Sequence, residues 1–237
     1  MKNNKVLIIA EIGVNHNGNL NTALKLIEEA KKAGADIVKF QTFNSSELAS
    51  DKAELVNYQK NNTKYAKNQK EMLKALELSD DQIDKIILKC EDIGIEYLTT
   101  AFDDESISKI SKQNLKRHKI PSGEITNLPY LRKIASFGKP IILSTGMSDI
   151  NEVIWALDKL IEGGVNRENI TILHCTSEYP CPLESVNLKA MNTLHENLKT
   201  DIGYSDHTLG IEVALAAVGM GARVIEKHLT LDKEMIG

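Results

Sequence analysis

The stretch KVLIIAEIGVNHNGNLNTALKLIEEAKKAGADIVKFQTF, residues 5–43, decides the fold class. Two short apolar runs, 5–12 and 36–43, flank a longer segment in which apolar residues recur at steps of three and four from Leu20 to Ala30. Apolar runs of this length predict buried strands, and the spacing between them predicts an amphipathic helix. A strand, a helix and a second strand in this order predict a βαβ unit with parallel strands.

The same alternation continues along the chain. Six more apolar runs predict strands at 95–102, 117–122, 140–146, 170–177, 200–206 and 223–230, with helical patterns between them. Eight strands in 237 residues favour a (β/α)8 TIM barrel over an open doubly wound sheet, and no G-x-G-x-x-G follows the first strand. We therefore predict one TIM-barrel domain over 1–237, with an insertion at 44–76 after strand two that covers a substrate.

Glycines follow four of the predicted helices, where left-handed C-terminal caps are common; they are Gly34, Gly94, Gly138 and Gly163. After the eighth strand the chain continues only to 237, so we expect a barrel that lacks its final helix.

Composition excludes several classes of function. The net charge is −4 and no basic patch occurs, so no nucleic-acid partner is expected. Three cysteines, Cys90, Cys175 and Cys181, form no C-x-x-C pair, which indicates reduced thiols and a cytoplasmic location. The first apolar run spans about five residues, too few for a secretory signal or a membrane span. We expect no membrane association.

Polar residues stand at nearly every predicted strand end. In a TIM barrel the carboxyl ends of the strands form the active site, and polar groups there are costly unless they bind something. The set comprises Glu11, Lys39, Gln41, Thr99, Thr100, Lys119, Ser122, Glu124, Ser144, Thr145, His174, Thr176, Ser177, Ser205, His207, Glu226 and His228. Their positions predict a site at one rim.

The residue types indicate the chemistry of that site. Lysines and hydroxyls suit a phosphate or carboxylate, which applies to Lys39, Lys119 and the serines. His207 and His228 follow neighbouring strands and could share a divalent ion that keeps open positions for water. Within GYSDHT, 203–208, Asp206 has an alternative role as the cap of the next helix.

Seven motifs in order make the chain recognisable: IAEIGVNHNGN, ADIVKFQTF, HKIPSGE, IILSTGM, HCTSEYP, GYSDHT and IEKHLT, between residues 9 and 230. Together they resemble the sialic-acid (nonulosonate) synthase family, whose members condense phosphoenolpyruvate with an N-acylated mannosamine-type sugar. The resemblance covers essentially the whole chain.

The resemblance implies roles for residues at matching positions. Phosphoenolpyruvate would be held by Lys39, Lys119 and the hydroxyls of Thr100, Ser122, Ser144, Ser177 and Ser205, although many relatives have Asn at the position of Ser177. Gln41 is a further substrate-binding candidate. His207 and His228 would bind Mn²⁺ or Mg²⁺, while Glu11 and Tyr179 would contact the sugar. The catalytic set would be Glu124, Glu226 and His207, with the choice between the two carboxylates left to geometry.

The implied reaction joins C3 of phosphoenolpyruvate to the sugar aldehyde, adds water at C2 and releases phosphate by C–O cleavage. The metal would polarise the aldehyde. Pro121 and the segments VNLKAM and IEKHLTLDK are similar to the legionaminate branch, which uses 2,4-diacetamido-2,4,6-trideoxymannose, rather than the N-acetylneuraminate branch, which uses N-acetylmannosamine.

Family members continue into a last barrel helix and an antifreeze-like domain that places an arginine on the sugar of a partner subunit. We therefore expect a homodimer for the full-length protein, and weak turnover from residues 1–237 alone. Two alternatives are a class I aldolase that forms a Schiff base at Lys119 and a non-catalytic sugar-phosphate-binding barrel.

Overall fold

The computed structural model describes residues 5–56, 59–60, 63 and 66–235. Parallel strands alternate with helices along the chain, and one eight-stranded sheet joins them in the order third, second, first, eighth, seventh, sixth, fifth and fourth, counted along the chain. This is the strand order of a (β/α)8 barrel. The predicted fold class is therefore confirmed. Residue contacts divide the chain into two compact units, each of which is described in turn.

One unit comprises Ala10–Gln113 and the residues from Leu229 onward. Strand β1, Leu7–Gly13, enters this unit at Ala10. Its other elements are α1 (Leu20–Lys32), β2 (Ile37–Thr42), α2 (Ser45–Leu48), α3 (Gln69–Leu76), α4 (Asp80–Ile93), β3 (Glu96–Ala101) and α5 (Asp104–Ile110).

The other unit comprises the residues up to Ile9 together with Asn114–His228. It contains β4 (His118–Ile120), α6 (Leu128–Ala135), β5 (Ile141–Ser144), α7 (Ile150–Glu162), β6 (Ile170–Cys175), α8 (Lys189–Leu198), β7 (Asp201–Asp206), α9 (Glu212–Gly219) and β8 (Val224–His228). Short 3-10 turns lie at Ser122–Glu124, Arg167–Asn169 and Leu183–Ser185.

Local signals explain where the helices begin. Asn19 caps α1 by accepting the amide of Thr22, and Ser79 and Asp149 open α4 and α7 with reciprocal capping boxes. Such caps satisfy amides that have no partner within the helix. The helix predicted between strands one and two is confirmed, although its buried face is Ala23, Leu26, Ile27 and Ala30, with Leu20 and Leu24 only half-buried.

One glycine prediction is wrong. Gly34, Gly94 and Gly138 have positive φ as expected, but Gly163 is right-handed (φ −75°) and the left-handed residue is Gly164 (φ 100°). Gly163 has a packing reason instead, because a Cβ there would lie 2.5 Å from the Cβ of Ala135. Only glycine permits this approach of α7 to α6.

The described part of the 44–76 insertion is tied to its unit by a small apolar cluster. Phe43, Leu55, Met72 and Leu76 are buried together. A polar tether reinforces the cluster, because Ser45 donates its hydroxyl to Glu77 at 2.8 Å. The predicted role in covering a substrate stays a prediction, and residues 57, 58, 61, 62, 64 and 65 of the insertion lie outside the described residues.

Cys90, Cys175 and Cys181 are free thiols, and all three are buried. Burial raises the pKa of the Cys90 thiol to about 12. Across residues 5–56, 59–60, 63 and 66–235, no helix has both the length and the apolar character needed to cross a membrane.

Candidate active site

One group of candidate residues lies in the unit that contains β2 and β3. Lys39 is buried in β2, and its Nζ lies 2.7 Å from Oε2 of Glu11 and 3.4 Å from Oγ1 of Thr100. Gln41 belongs to the same group: a Cβ on Gly13 would touch both the Glu11 carboxylate and the Gln41 amide. The structure thus brings four predicted residues of this unit together.

The end of β1 is held by backbone and amide contacts. The amide of Leu229 donates to the carbonyl of Glu11 at 2.8 Å, and the Asn15 side chain donates to the carbonyl of Leu229 at 2.8 Å. His16 is buried in the following loop, and desolvation lowers its pKa to about 4. Its neutral Nδ1 accepts the amide of Gly18, so the loop after Glu11 is fixed without a charge.

A second group of candidate residues lies at the ends of β4 and β5, in the other unit. Lys119 is 3% exposed, and its ammonium donates to Ser144 Oγ at 2.6 Å and to the Ile120 carbonyl at 3.1 Å. Both acceptors are neutral oxygens. Two residues beyond Ser144, the Gly146 amide donates to Ser122 Oγ at 2.9 Å.

Gly146 is the centre of a small cradle. A Cβ on this residue would overlap Ser177 Oγ and lie 3.0 Å from Ser122 Oγ and 3.1 Å from Cys175 Sγ. Ser122 Oγ and Cys175 Sγ are 3.3 Å apart. The sequence motifs single out both serines, whereas Gly146 and Cys175 are missed as site residues, because their role depends on how the ends of β5 and β6 approach each other.

The third group lies at the ends of β7 and β8. Ser205 donates to Oε1 of the buried Glu226 at 2.9 Å, and Ser205 Oγ is 3.5 Å from His207 Nε2. The rings of His207 and His228 have centroids 5.7 Å apart, and the half-exposed Tyr179 ring lies 4.2 Å from His207 and 5.9 Å from His228. The predicted histidine pair is therefore together, with Tyr179 beside it.

His207 is oriented by a backbone group. Its Nδ1 lies 2.7 Å from the carbonyl of Thr176, which can only accept, so Nδ1 carries the proton and Nε2 carries the lone pair. Desolvation by burial lowers the pKa of His207, with His228 adding to the effect and the Thr176 contact opposing it. A neutral imidazole with a free Nε2 is the form that binds a metal.

Two imidazoles fit a divalent ion as a partial ligand set. In the described part of the chain, no cluster of three or more His, Cys, Asp or Glu side chains could hold a metal. His207 and His228 would therefore supply two ligands, and water or substrate oxygens would complete the shell.

Several predicted residues are engaged in other hydrogen bonds. Glu124 sits on the 3-10 turn after β4, and its Oε2 accepts the Asn127 amide at 2.7 Å. His174 bonds the Val186 carbonyl through Nε2, and Thr99 bonds Thr42. Thr145 and Thr176 donate their hydroxyls to the carbonyls of Leu173 and Ser185, so both are engaged by the backbone.

The capping role considered for Asp206 is wrong. Helix α9 begins at Glu212, well beyond Asp206, and its N-cap residue makes no side-chain bond. Asp206 is instead buried, and accepts hydrogen bonds from Thr208 and an ion pair from Lys227.

A parallel barrel whose strand ends carry ammonium, hydroxyl, carboxylate and imidazole groups is typical of an enzyme of the TIM-barrel class. The chain belongs to the NeuB family, whose sequence model matches residues 26–237. This confirms the resemblance that the sequence motifs predict.

The chain is 54% identical over 233 residues to N,N'-diacetyllegionaminic acid synthase of Campylobacter jejuni, covering 98% of this chain and 70% of that protein. It is 51% identical over 232 residues to the synthase of the same name from Legionella pneumophila, covering 97% of this chain and 65% of that protein. The crystal structure of N-acetylneuraminic acid synthetase from Leptospira borgpetersenii in complex with citrate superposes with a TM-score of 0.85, at 33% identity over 96% of this chain and 74% of that one.

Proposed function

We propose that this chain contains the catalytic barrel of a phosphoenolpyruvate-dependent synthase that makes a legionaminate-type nine-carbon 2-keto sugar acid. The acceptor would be 2,4-diacetamido-2,4,6-trideoxymannose. Support comes from the 54% and 51% identity to two proteins named for that product, against 33% identity to an N-acetylneuraminic acid synthetase. N-acetylmannosamine is the second candidate acceptor. The cytoplasmic location and a homodimer stay predictions.

The observation that carries the proposal is the end of β5. There the buried Lys119 ammonium is bonded to Ser144, and two residues later the Gly146 amide and the Ser122 hydroxyl meet beside Ser177. Proteins bind phosphate and carboxylate groups with cations, with backbone amides that no side chain covers and with hydroxyls, and all three occur here. We infer that they hold phosphoenolpyruvate. The family resemblance assigns Thr100 and Lys39 to the same substrate.

Glu11 is suited to bind the sugar. Its carboxylate is buried and paired with Lys39 at 2.7 Å, so it stays charged away from water. A charged carboxylate accepts strong hydrogen bonds from hydroxyl and amide groups. Tyr179 presents an aromatic face next to the two histidines, where a sugar could pack.

A divalent ion, Mn²⁺ or Mg²⁺, held by His207 and His228 would polarise the aldehyde oxygen of the open-chain sugar. His207 is prepared for this by the Thr176 carbonyl, which directs its Nε2 lone pair away from the backbone.

Between the two candidate carboxylates, the geometry favours Glu226 as the proton-transfer group. Glu226 is buried and shares Ser205 with His207, whereas Glu124 is bonded to Asn127 on the turn after β4. A general acid or base must lie within hydrogen-bond reach of the reacting atoms. We infer that Glu226 moves protons at the aldehyde oxygen and at the water that adds to C2, and that Glu124 contributes to binding.

The proposed reaction balances as follows. C3 of phosphoenolpyruvate uses its double-bond electrons to form a bond to the sugar aldehyde carbon, whose oxygen takes up a proton. C2 becomes electron-poor, water adds there with loss of a proton, and the C2–O bond to phosphate breaks to leave the ketone. Lys39 and Lys119 would neutralise the anionic groups throughout.

The test uses phosphoenolpyruvate with ¹⁸O in the oxygen that bridges C2 and phosphorus. With Mn²⁺ and each candidate sugar, we expect released phosphate to contain the label, and turnover to be fastest with the 2,4-diacetamido sugar. Label retained in the organic product contradicts C–O cleavage, and faster turnover with N-acetylmannosamine contradicts the acceptor assignment.

A Schiff-base aldolase would also use Lys119. Borohydride reduction in the presence of pyruvate would then attach a three-carbon adduct to this lysine, which mass spectrometry detects. We expect no adduct, since Lys119 acts here as a charged donor to Ser144. Finding the adduct on Lys119 would replace the synthase proposal with the aldolase one.

A further inference from the structure

We propose that the ion pair between the buried Asp206 and the partly exposed Lys227 is a positioning device that sets the separation of His207 and His228. The inference rests on the proposed function, in which these two imidazoles bind a divalent ion. It assigns a role to two residues that point away from the substrate-facing groups.

The argument starts from strand register. Strands β7 and β8 are parallel, with Ser205 opposite Glu226 and Asp206 opposite Lys227. Successive side chains of a strand point to opposite faces. Ser205 and Glu226 meet on one face at 2.9 Å, and Asp206 and Lys227 meet on the other at 2.7 Å.

The histidines come next in both strands, and alternation returns them to the face of Ser205. Asp206 and Lys227 are thus the last cross-strand pair before His207 and His228, at the point where the regular ladder ends. The pairing of β7 with β8 ends there, and the His207 backbone beyond it is held by the Cys181 amide, which donates to the His207 carbonyl at 2.8 Å. A further contact that joins the two strands at this point would help to set how far apart the next two side chains lie.

Lys227 makes that contact on both sides of His207. Its ammonium pairs with Asp206 Oδ2 at 2.7 Å and donates to the Thr208 carbonyl at 2.9 Å. His207 lies between these two partners in the sequence, and His228 follows Lys227 directly. The ammonium of Lys227 therefore ties the segment around His207 to the strand that carries His228.

Asp206 completes this set of contacts. Its side chain is fully buried, and Oδ1 accepts both the amide and the hydroxyl of Thr208, at 2.9 and 2.7 Å. A buried carboxylate with three donors has one geometry, because losing any donor leaves charge unsatisfied. The turn that carries His207 is fixed accordingly.

The experiment measures Mn²⁺ affinity by calorimetry in Lys227→Met and Asp206→Asn, with thermal unfolding recorded for each. Outer-shell changes of this kind reduce metal affinity by roughly 10- to 100-fold, and we expect the dissociation constant for Mn²⁺ to rise by that factor. Lys227→Arg retains the charge and two or more donors, so it should recover part of the affinity.

The matched control is Lys89→Met. Lys89 pairs with Glu28 at 2.6 Å, and its side chain is 26% exposed, against 28% for Lys227. We expect it to leave Mn²⁺ affinity unchanged. If Lys227→Met does not fold, Asp206→Asn, which can still accept from Thr208, provides the same test.

The outcomes separate the two proposals. Wild-type protein that binds Mn²⁺ and loses it in His207→Ala, while both ion-pair variants bind as wild type, overturns the positioning role alone. A wild-type protein that binds no Mn²⁺, or binds it equally well in His207→Ala and His228→Ala, overturns the metal site and the positioning role together.

Discussion

Replacing Gly146 by alanine is the sharpest test of the phosphoenolpyruvate cradle. The new methyl would overlap Ser177 Oγ and lie 3.0 Å from Ser122 Oγ, tighter than most contacts of a Cβ. Ser177 is exposed and can rotate away, and Ser122 must give by a few tenths of an ångström or lose the 2.9 Å bond from the Gly146 amide. The change therefore disturbs two hydroxyls at once.

The magnitude follows from those two contacts. A hydrogen bond to a charged group contributes about 1.5–3 kcal/mol, and each 1.4 kcal/mol is a factor of about ten. Losing or misplacing one such bond to the substrate should lower kcat/KM for phosphoenolpyruvate by roughly 10- to 100-fold. Overpacking of this kind costs about 1–3 kcal/mol of stability, so the protein should remain folded at 25 °C.

Gly123→Ala is the matched control. Gly123 lies next to Ser122, yet a Cβ there meets nothing within 4 Å. Initial rates of phosphate release, measured against phosphoenolpyruvate concentration, should show an increased KM in Gly146→Ala and nearly normal kinetics in Gly123→Ala. Equal kinetics for the Gly146 variant and the wild type would refute the cradle, as would equal losses in both variants.

Three further predictions concern other buried groups. Ser144→Ala removes the 2.6 Å acceptor of Lys119, and should raise KM for phosphoenolpyruvate roughly 10-fold in the same assay; an unchanged KM would count against Lys119 as a substrate ligand. Glu226→Gln should lower kcat by about 10²- to 10⁴-fold with intact Mn²⁺ binding, while Glu124→Gln mainly raises KM; the reverse pattern would exchange their roles. His118 has its pKa lowered to about 4, chiefly by desolvation, so its neutral form stabilises the fold above pH 6.5 and that contribution is lost as pH falls towards 4. Between pH 7.5 and pH 5, the free energy of unfolding measured with urea should therefore fall by about 2 kcal/mol less in His118→Phe than in the wild type. Equal decreases in the two proteins would contradict the assignment.

Sequence patterns predict the fold well because each strand is a short apolar run between caps and turns. All eight predicted strands are present, and the differences lie at their ends. The run 117–122 contains only three strand residues, His118–Ile120, because Pro121 ends it and Ser122 begins a 3-10 turn. Strand ends depend on which carbonyls find partners in the neighbouring strand, and a single segment of sequence does not contain that information.

The candidate site is predicted less completely than the fold. Strand-end polarity and the motifs identify Lys119, Ser122 and Ser144, but not that Lys119 bonds Ser144 while Ser122 receives the Gly146 amide. Such pairings follow from the register of β4 and β5, in which Lys119 lies opposite Ile142. Glycine at 146 also gives no chemical signal, because its function is the absence of a side chain.

In the motifs S-D-H at 205–207 and E-K-H at 226–228, neighbouring side chains point to opposite faces and have different roles. The outer members of each triplet face the proposed substrate, and the central members, Asp206 and Lys227, pair behind them. A buried ion pair contributes little to stability on balance, since desolvation offsets the attraction. Its position as the last cross-strand pair before two imidazoles is better explained by geometry. A change that removed the pair but kept the fold would leave all substrate-facing groups present and wrongly spaced, which distinguishes positioning from stability.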